Sequence, residues 1–286
     1  MYSITEKCQV LQVTKQGYYQ WLRNRDKPYK YAALLAMIKK VLAEDPENKG
    51  NYGARRVFLR LSQSEYGYGG SYSTVYRVMK TNGLLQKKKR TPNSLTREDY
   101  EAQKSENLIK QDFQASEPNS KWLSDISEVP TADGKLYISP VLDCFDGQIV
   151  GLTMGDNMKK ELCIDAFEQA CRLHNAYGMI YHTDRGSQYT SHKFREALGT
   201  RRAVQSMSGT GRCYDNARME SFFATLKKEK LYKIKTEQMP MVTIKSIIFR
   251  WVFSYYNRKR IYSSNDGGYP PSVKRRMYEE SLLTAA

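Results

Sequence analysis

Histidine and paired cysteine are scarce in this sequence. Only three histidines occur, none of them before His174, and the five cysteines form no C-x-x-C pair. Conventional zinc modules need clustered His and Cys ligands, so such a module is excluded from the N-terminal region and no zinc is expected. The odd number of cysteines also fits a reducing compartment.

Long apolar runs are missing as well. No segment approaches the roughly 18–20 apolar residues that are needed to span a bilayer. The N-terminal stretch MYSITEKCQVLQV contains no apolar core of a signal peptide. We therefore expect a cytoplasmic protein without membrane contact.

Acidic residues are outnumbered by basic ones. The 286 residues include 46 Lys and Arg against 30 Asp and Glu, which gives a formal net charge of +16. Such an excess is typical of a protein with a polyanionic partner, most often nucleic acid. The alternative is a ribosome-associated or merely basic protein. An apolar content of 40% argues against wholesale disorder.

The N-terminal third of the chain predicts helices. Residues 4–22 read as two short helices broken around residues 13–15, and residues 31–44 have a helical apolar period. Two further helices, ARRVFLRLSQ and YSTVYRVMKTN, follow a turn-rich loop. The second has Tyr76, Arg77 and Lys80 on the face opposite to its apolar residues. This pattern favours a helix-turn-helix, with an ordinary small helical bundle as the alternative.

A run of four cations follows these helices. Lys87, Lys88, Lys89 and Arg90 are consecutive in LLQKKKRTPNSL. The run suits an arm that tracks DNA phosphates, or else a solvated linker.

Strand patterns begin near residue 120. KWLSDISEV, KLYISPVLDCF and QIVGLTM predict three antiparallel strands joined by TADG and DG turns, and Pro140 argues against a regular central strand. A helix over residues 159–174, the strand MIYHT, a helix near residues 191–198, the strand AVQSM and a long helix from Asn216 follow. This order predicts an α/β core, a mixed five-stranded sheet with flanking helices, and then a mainly helical C-terminal extension.

Three acids are distinguished by their positions. Asp125 lies in the middle of the first strand, Asp184 closes a later strand, and Glu220 lies one turn into the long helix. If they converge, they repel one another unless a divalent cation lies between them. Oxygen ligands select Mg²⁺ or Mn²⁺, and two such ions about 4 Å apart would serve phosphodiester displacement. Singly, each acid could be a surface or salt-bridged carboxylate. Asp143 is a weaker candidate ligand, and Asp146 reads as a turn residue.

Three stretches carry a resemblance to a known family. WLSDIS, HTDRGSQYTS and SMSGTGRCYDNARMESFFATLKKE resemble the catalytic core of insertion-sequence transposases with a retroviral-integrase-like domain. The chain is similar, more closely, to the second-reading-frame product (OrfB) of the IS-three family. Asp184 and Glu220 have 35 residues between them, which is the spacing of that family's Asp-Asp-35-Glu triad. Lys227 matches a DNA-contacting cation of the family.

The resemblance extends to both ends of the chain. Residues 52–84 are similar to the family's helix-turn-helix region, and YYNRKRIYSS with GGYPPS is similar to its C-terminal signature. Tyr262 departs from this signature, because the family usually has histidine there. Five segments are expected: an N-terminal helical region (1–48), a helix-turn-helix-like DNA-binding region (49–92), a linker (93–117), the integrase-like core (118–235) and a C-terminal helical extension (236–286).

The resemblance implies a ribonuclease H-like fold and a function. Asp125, Asp184 and Glu220 are the implied catalytic and metal-binding residues, for Mg²⁺-dependent cleavage and joining of DNA strands at element ends. The implied partners are double-stranded DNA, both terminal inverted repeats and target, in a bacterial nucleoid-associated setting. A homo-oligomer, at least a dimer, and the upstream-frame (OrfA) product or a fusion with it are implied as well.

Residues around the triad are candidate DNA contacts. His182 could contact the scissile phosphate or serve in packing, and Arg185 could grip DNA or orient a carboxylate. Asp215 and Asn216 are expected to cap the long helix. The full set of candidate DNA contacts is His182, Arg185, Gln188, Arg212, Lys227, Tyr76, Arg77, Lys80, Lys87, Lys88, Lys89 and Arg90.

Two other functions fit part of the pattern. A stand-alone ribonuclease H-like nuclease would need neither the basic helical region nor the C-terminal extension. A DNA-binding regulator with inert acids is disfavoured by the intact triad.

Overall fold

The fold is taken from a computed structural model, which describes residues 3–86, 106–209 and 213–285. The predicted basic run, Lys87, Lys88, Lys89 and Arg90, and the candidate Arg212 lie outside the described residues. In the part that is described, no helix is long and apolar enough to cross a membrane.

Two short helices open the chain, as predicted. They are α1 (Ile4–Val10) and α2 (Lys15–Asn24). The side chains of Ser3 and Glu6 form a capping box at the start of α1, and Thr14 accepts the Gly17 N–H at the start of α2. Apolar residues of the two helices stay exposed, with Val10 at 82% and Trp21 at 56%. The pair therefore buries little apolar surface.

Three helices with one common core form the basic helical region. They are α3 (Ala32–Ala43), α4 (Ala54–Ser62) and α5 (Tyr72–Thr81). Their buried side chains form one apolar cluster, which includes Ile38, Leu61 and Val78. Ser71 begins α5 by accepting the Thr74 N–H. Since α3 packs in the same cluster, residues on both sides of position 48 belong to one packing unit.

A mixed sheet forms the centre of the molecule. Its strands are β1 (Lys121–Ser124), β2 (Ser127–Thr131), β3 (Gly134–Asp143), β4 (Ile149–Gly155), β5 (Ile180–Thr183) and β6 (Val204–Met207). β3 pairs antiparallel with β1, β2 and β4, whereas β1 pairs parallel with β5, and β5 with β6. The mixed sheet is confirmed, with six strands where five were predicted.

The additional strand arises from an interruption. β1 and β2 pair with β3 in one continuous register, because Ser124 lies opposite Val141 and Ser127 lies opposite Ile138. The gap between the two strands therefore lies opposite Pro140, which has no N–H to donate to the ladder. The segment predicted as the first strand is thus two strands, β1 and β2, which are aligned along β3 and interrupted at Asp125.

Helices cover both faces of the sheet. They are α6 (Lys160–His174), α7 (Ser187–Thr190), α8 (His192–Thr200), α9 (Ala217–Glu229), α10 (Met241–Arg250) and α11 (Pro271–Ala285). Trp122 points into the cluster with α6 and α8, whereas its neighbour Leu123 points into the cluster with α9 and α10. A Cβ on Gly151 would lie 2.5 Å from the Ala166 carbonyl oxygen, so glycine permits the close packing of α6 on β4.

The C-terminal extension fastens the helical region to the core. α10 continues as a π-helical turn, Trp251–Tyr256. Beyond it, Arg260 donates two hydrogen bonds of 2.8 Å to Glu229 at the end of α9, and Arg56 of α4 donates a third of 2.7 Å. The Ile261 N–H donates to the Tyr52 hydroxyl at 2.8 Å. Three distant parts of the chain therefore meet at one buried carboxylate.

Candidate active site

The backbone brings the three predicted acids to one end of β1. In the parallel β1–β5 pair, Leu123 lies opposite His182. The same register, continued by two residues, places Asp125 beside Asp184. Glu220 lies in the first turn of α9. The start of that helix is fixed to β1, because the Asn216 amide donates to the Ser124 carbonyl oxygen at 3.3 Å.

The electrostatics of Asp125 show that the three acids interact. Burial, together with the charges of Asp184 and Glu220, raises the pKa of Asp125 to about 7. The Ile126 N–H, 2.8 Å from Oδ1, and the Lys227 ammonium group act in the opposite direction. Desolvation of its carboxylate also raises the pKa of Asp184, although the residue as a whole is exposed. The nearby N–H donors and the Lys227 ammonium group therefore do not fully compensate the negative charge of the three acids.

This donor set fits a hard divalent cation in an open site. The acids supply carboxylate oxygens, which Mg²⁺ and Mn²⁺ prefer. Among the described residues, no group of three or more His, Cys, Asp and Glu side chains stands in an arrangement that could hold a metal ion, and this includes the three acids. The acids are near one another without closing around a common point, so an ion held here would also draw ligands from water or substrate, as catalytic Mg²⁺ does.

A glycine turn holds the second acid. The Gly186 N–H donates to Asp184 Oδ1 at 3.0 Å. A Cβ on Gly186 would lie 3.2 Å from that oxygen and 2.9 Å from Gln188 Oε1, so any larger residue presses on the carboxylate. Arg185 Nε donates to the Ser208 carbonyl oxygen at 2.7 Å, and Gln188 Nε2 to that of Met158 at 2.9 Å. Both side chains fasten the turn, and their DNA contacts stay predictions.

The contacts of His182 are internal. The residue is fully buried, with Nδ1 2.8 Å from Ser206 Oγ and Nε2 3.1 Å from Ser208 Oγ. Burial lowers the pKa of His182 to about 4, so the ring is neutral. These contacts favour the packing alternative for His182, and a DNA contact through its ring stays a prediction.

The competing acids Asp143 and Asp146 are structural. Both are fully buried and bind Arg275 of α11, through NH2 at 2.5 Å and through Nε at 2.8 Å. Asp143 also accepts the Asn119 N–H at 2.7 Å and the Phe145 N–H at 2.9 Å. These bonds occupy Asp143, so it is not a ligand of the triad site.

Asp215 and Asn216 act differently from the predicted caps. Asn216 stands at the N-cap of α9 without a side-chain capping bond. Asp215 is buried and accepts hydrogen bonds from the Asn107 amide at 2.7 Å and from the Gly209 N–H at 2.8 Å. Both residues are structural, as expected, but they join α9 to distant segments. Asn107 and Ser124 lie about a hundred residues from Asp215 and Asn216, so no local pattern predicts these two contacts.

The outer face of α5 remains open. Tyr76, Arg77 and Lys80 are exposed, while Val75, Val78 and Met79 are buried. The exposed residues line a shallow depression of about 370 Å³ together with Tyr72 and Ser73. The predicted division of this helix into two faces is confirmed.

Comparison with known proteins identifies the family. The family model described as the integrase core domain matches residues 115–213. The transposase for insertion sequence element IS904 of Lactococcus lactis is 37% identical over 84% of this chain and 93% of its own length. Transposase InsF for insertion sequence IS3A of Escherichia coli is 34% identical over 92% of this chain and 90% of its own length. The chain belongs to the IS3-family transposases.

Family membership agrees with the fold of this transposase. Its mixed sheet with flanking helices is the ribonuclease H-like integrase core that the sequence predicted. Among solved structures, the HTLV-2 integrase catalytic core domain in complex with magnesium is similar to 56% of the transposase and 98% of that chain, at 19% identity and a TM-score of 0.44.

Proposed function

We propose that this transposase cleaves and joins DNA strands at the ends of its insertion sequence by two-metal, Mg²⁺-dependent phosphodiester transfer. The observation that carries the proposal is the convergence of Asp125, Asp184 and Glu220 at one end of β1, where burial and the charges of the other two acids raise the pKa of Asp125 to about 7. Uncompensated carboxylates at a strand end are suited to divalent cations.

The three acids would hold Mg²⁺ or Mn²⁺. Two ions held by these acids would supply activation of a water or a DNA 3′-hydroxyl and charge stabilisation at the leaving oxygen. The Ile126 N–H orients one oxygen of Asp125, and the Gly186 N–H orients one oxygen of Asp184. The second oxygen of each accepts no hydrogen bond from another described residue, so it is available as a ligand.

The rest of the chain would bind and position double-stranded DNA. The exposed Arg77 and Lys80 of α5 suit phosphate contacts, with Tyr76 beside them. Lys227 lies close enough to Asp125 to lower its pKa, and we assign to it a contact with the DNA strand at the site. Terminal repeats and target would be bound by a homo-oligomer, at least a dimer, with the upstream-frame product as a partner or fusion. Such an enzyme works at the nucleoid.

Strand cleavage by a matched pair of variants tests the proposal. Wild type, Asp184→Asn and the exposed control Asp165→Asn are incubated with duplexes carrying the element's terminal repeats and Mg²⁺, with the upstream-frame product supplied. Wild type and Asp165→Asn should give nicked and joined products, and Asp184→Asn none. Products that survive Asp184→Asn would refute the assignment. Binding without cleavage by wild type would favour a DNA-binding regulator, and cleavage without joining would favour a nuclease.

A further inference from the structure

A small polar cavity lies beside the catalytic helix and outside the triad. Its volume is about 120 Å³, several times the ~30 Å³ that one water occupies in the liquid. Its polar lining comes from three regions: Arg56 of α4, Ser221 and Thr225 of α9, and Arg260, Ser263 and Ser264 of the C-terminal extension. The helical region, the core and the extension therefore share one cavity.

The charge in this cavity is not balanced. Glu229 accepts hydrogen bonds from both Arg260 and Arg56, so two guanidinium groups share one carboxylate. No other described acid forms an ion pair with either arginine. Arg260 is buried, whereas Arg56 is partly exposed and also donates to the Asn51 carbonyl oxygen; an excess of positive charge with limited access to water is unfavourable without an anionic or polar partner. The cavity therefore favours an anion.

The remaining lining offers hydrogen-bond donors. The hydroxyls of Ser221, Thr225, Ser263 and Ser264 make no hydrogen bond to any other described residue, and Ser221, Ser263 and Ser264 are exposed. Each hydroxyl can donate to an oxyanion. Guanidinium groups and hydroxyls together are the side chains that bind DNA phosphates.

The cavity is also close to the reacting centre along α9. Ser221 directly follows Glu220, and one residue of helix corresponds to a rise of about 1.5 Å. Ser221 and Thr225 share one stripe of the helix, because they are four residues apart. Consecutive residues of a helix project about 100° apart, so this stripe lies on the flank of α9 next to the face that carries Glu220.

We propose that this cavity binds a backbone phosphate of the DNA strand that enters the active site. The inference rests on the proposed function, since it assigns a part of the same substrate to a second place on the protein. The bound phosphodiester contacts both Arg56 of the helical region and Ser221 beside the catalytic acid, so DNA binding by one region is linked to strand placement at the other.

Charge placed at the cavity mouth tests the proposal. Ser264→Glu adds a carboxylate there, and Ser281→Glu adds the same charge at an exposed position of α11. Dissociation constants are measured for a duplex carrying the element's terminal sequence, between about 50 and 200 mM KCl. Ser264→Glu should bind about tenfold more weakly than Ser281→Glu. For Ser264→Glu, the plot of log K against the logarithm of the salt concentration should be shallower by about 0.9, the value for one phosphate contact.

Neutral phosphates in the DNA then locate the contact. Single methylphosphonates are placed along the strand, and at one position the difference between Ser264→Glu and Ser281→Glu should disappear. Equal binding by the two variants overturns the proposal. A difference that persists at every methylphosphonate position also overturns it, because it would reflect general repulsion between the added carboxylate and the DNA. Cleavage by the same wild-type preparation tests the proposed function separately. Inorganic phosphate at matched ionic strength should compete only weakly if the ligand is a DNA phosphodiester.

Discussion

Replacing Arg275 by methionine should remove a large part of the stability of the core. Arg275 is buried and lies between Asp143 and Asp146, both fully buried. Removing the shared cation leaves two buried carboxylates without their partner, and breaking a buried ion pair in this way costs about 3–5 kcal/mol. Asp143 keeps backbone N–H donors from Asn119 and Phe145, so the lower end of that range, about 3 kcal/mol, is expected.

The effect should depend on pH in a defined direction. Burial raises the pKa of Asp146 to about 6 even with Arg275 present, and loss of the cation raises it further. The folded state then binds more protons than the unfolded state, so stability falls as pH rises through this window. Arg275→Met should therefore be destabilised more at pH 7.5 than at pH 5. Burial and the charge of Arg275 lower the pKa of His174 to about 4. Without Arg275 the ring gains a proton more easily at low pH, which also makes the loss of stability smaller at pH 5 than at pH 7.5.

Urea denaturation followed by circular dichroism measures this effect. The matched control is Arg276→Met, since the neighbouring arginine is 66% exposed and its partner Glu280 is 4.0 Å away. An exposed pair of this kind contributes at most about 1 kcal/mol. A loss in Arg275→Met that equals the loss in Arg276→Met, or one that is the same at both pH values, would refute the reasoning.

Three further predictions concern the site and the DNA surface. Gly186→Ala places a methyl 3.2 Å from Asp184 Oδ1; strand cleavage should fall at least tenfold because misplacement of a reacting group is costly, while the unfolding midpoint changes little. His182→Ala leaves a buried cavity and removes the hydrogen bonds of the ring with Ser206 and Ser208, so the unfolding free energy should drop by about 3 kcal/mol, and wild-type stability would contradict the structural role. Lys80→Ala should weaken binding to random-sequence duplex and reduce the salt slope by about 0.9; an unchanged slope would exclude a phosphate contact at this residue.

Positions with a local cause could be predicted from the sequence. The helices followed from apolar period and caps, such as Ser71 before α5. The irregularity of the first hairpin followed from Pro140, although its consequence, a strand broken at Asp125, needed the register. The triad acids could be singled out because Asp125 is a charge inside a predicted strand, Asp184 closes a strand and Glu220 lies one turn into a helix; the spacing of the last two resembled that of a known family.

Other roles depend on contacts that no local pattern contains. His182 lies two residues from Asp184, so proximity along the chain suggested a DNA contact, yet it lies buried against serines of another segment. Asp143 was a candidate ligand because its ion-pair partner, Arg275, lies 132 residues further along the chain and cannot be recognised as a partner from the sequence. Acids in buried ion pairs and acids at metal sites have the same identity in sequence, and only the fold separates them.

The two ends of the catalytic helix show how the regions of the chain are joined. At its start, Asn216 binds the Ser124 carbonyl oxygen, which sets Glu220 against the end of β1. At its last residue, Glu229 binds Arg56 from the helical region and Arg260 from the extension. A rotation of the helical region relative to the core would have to break charge-assisted bonds of 2.7–2.8 Å, which are among the stronger hydrogen bonds in proteins. These bonds link the helical region to the helix that carries Glu220, so under the proposed function a DNA end bound by α5 would lie at a set distance from Glu220.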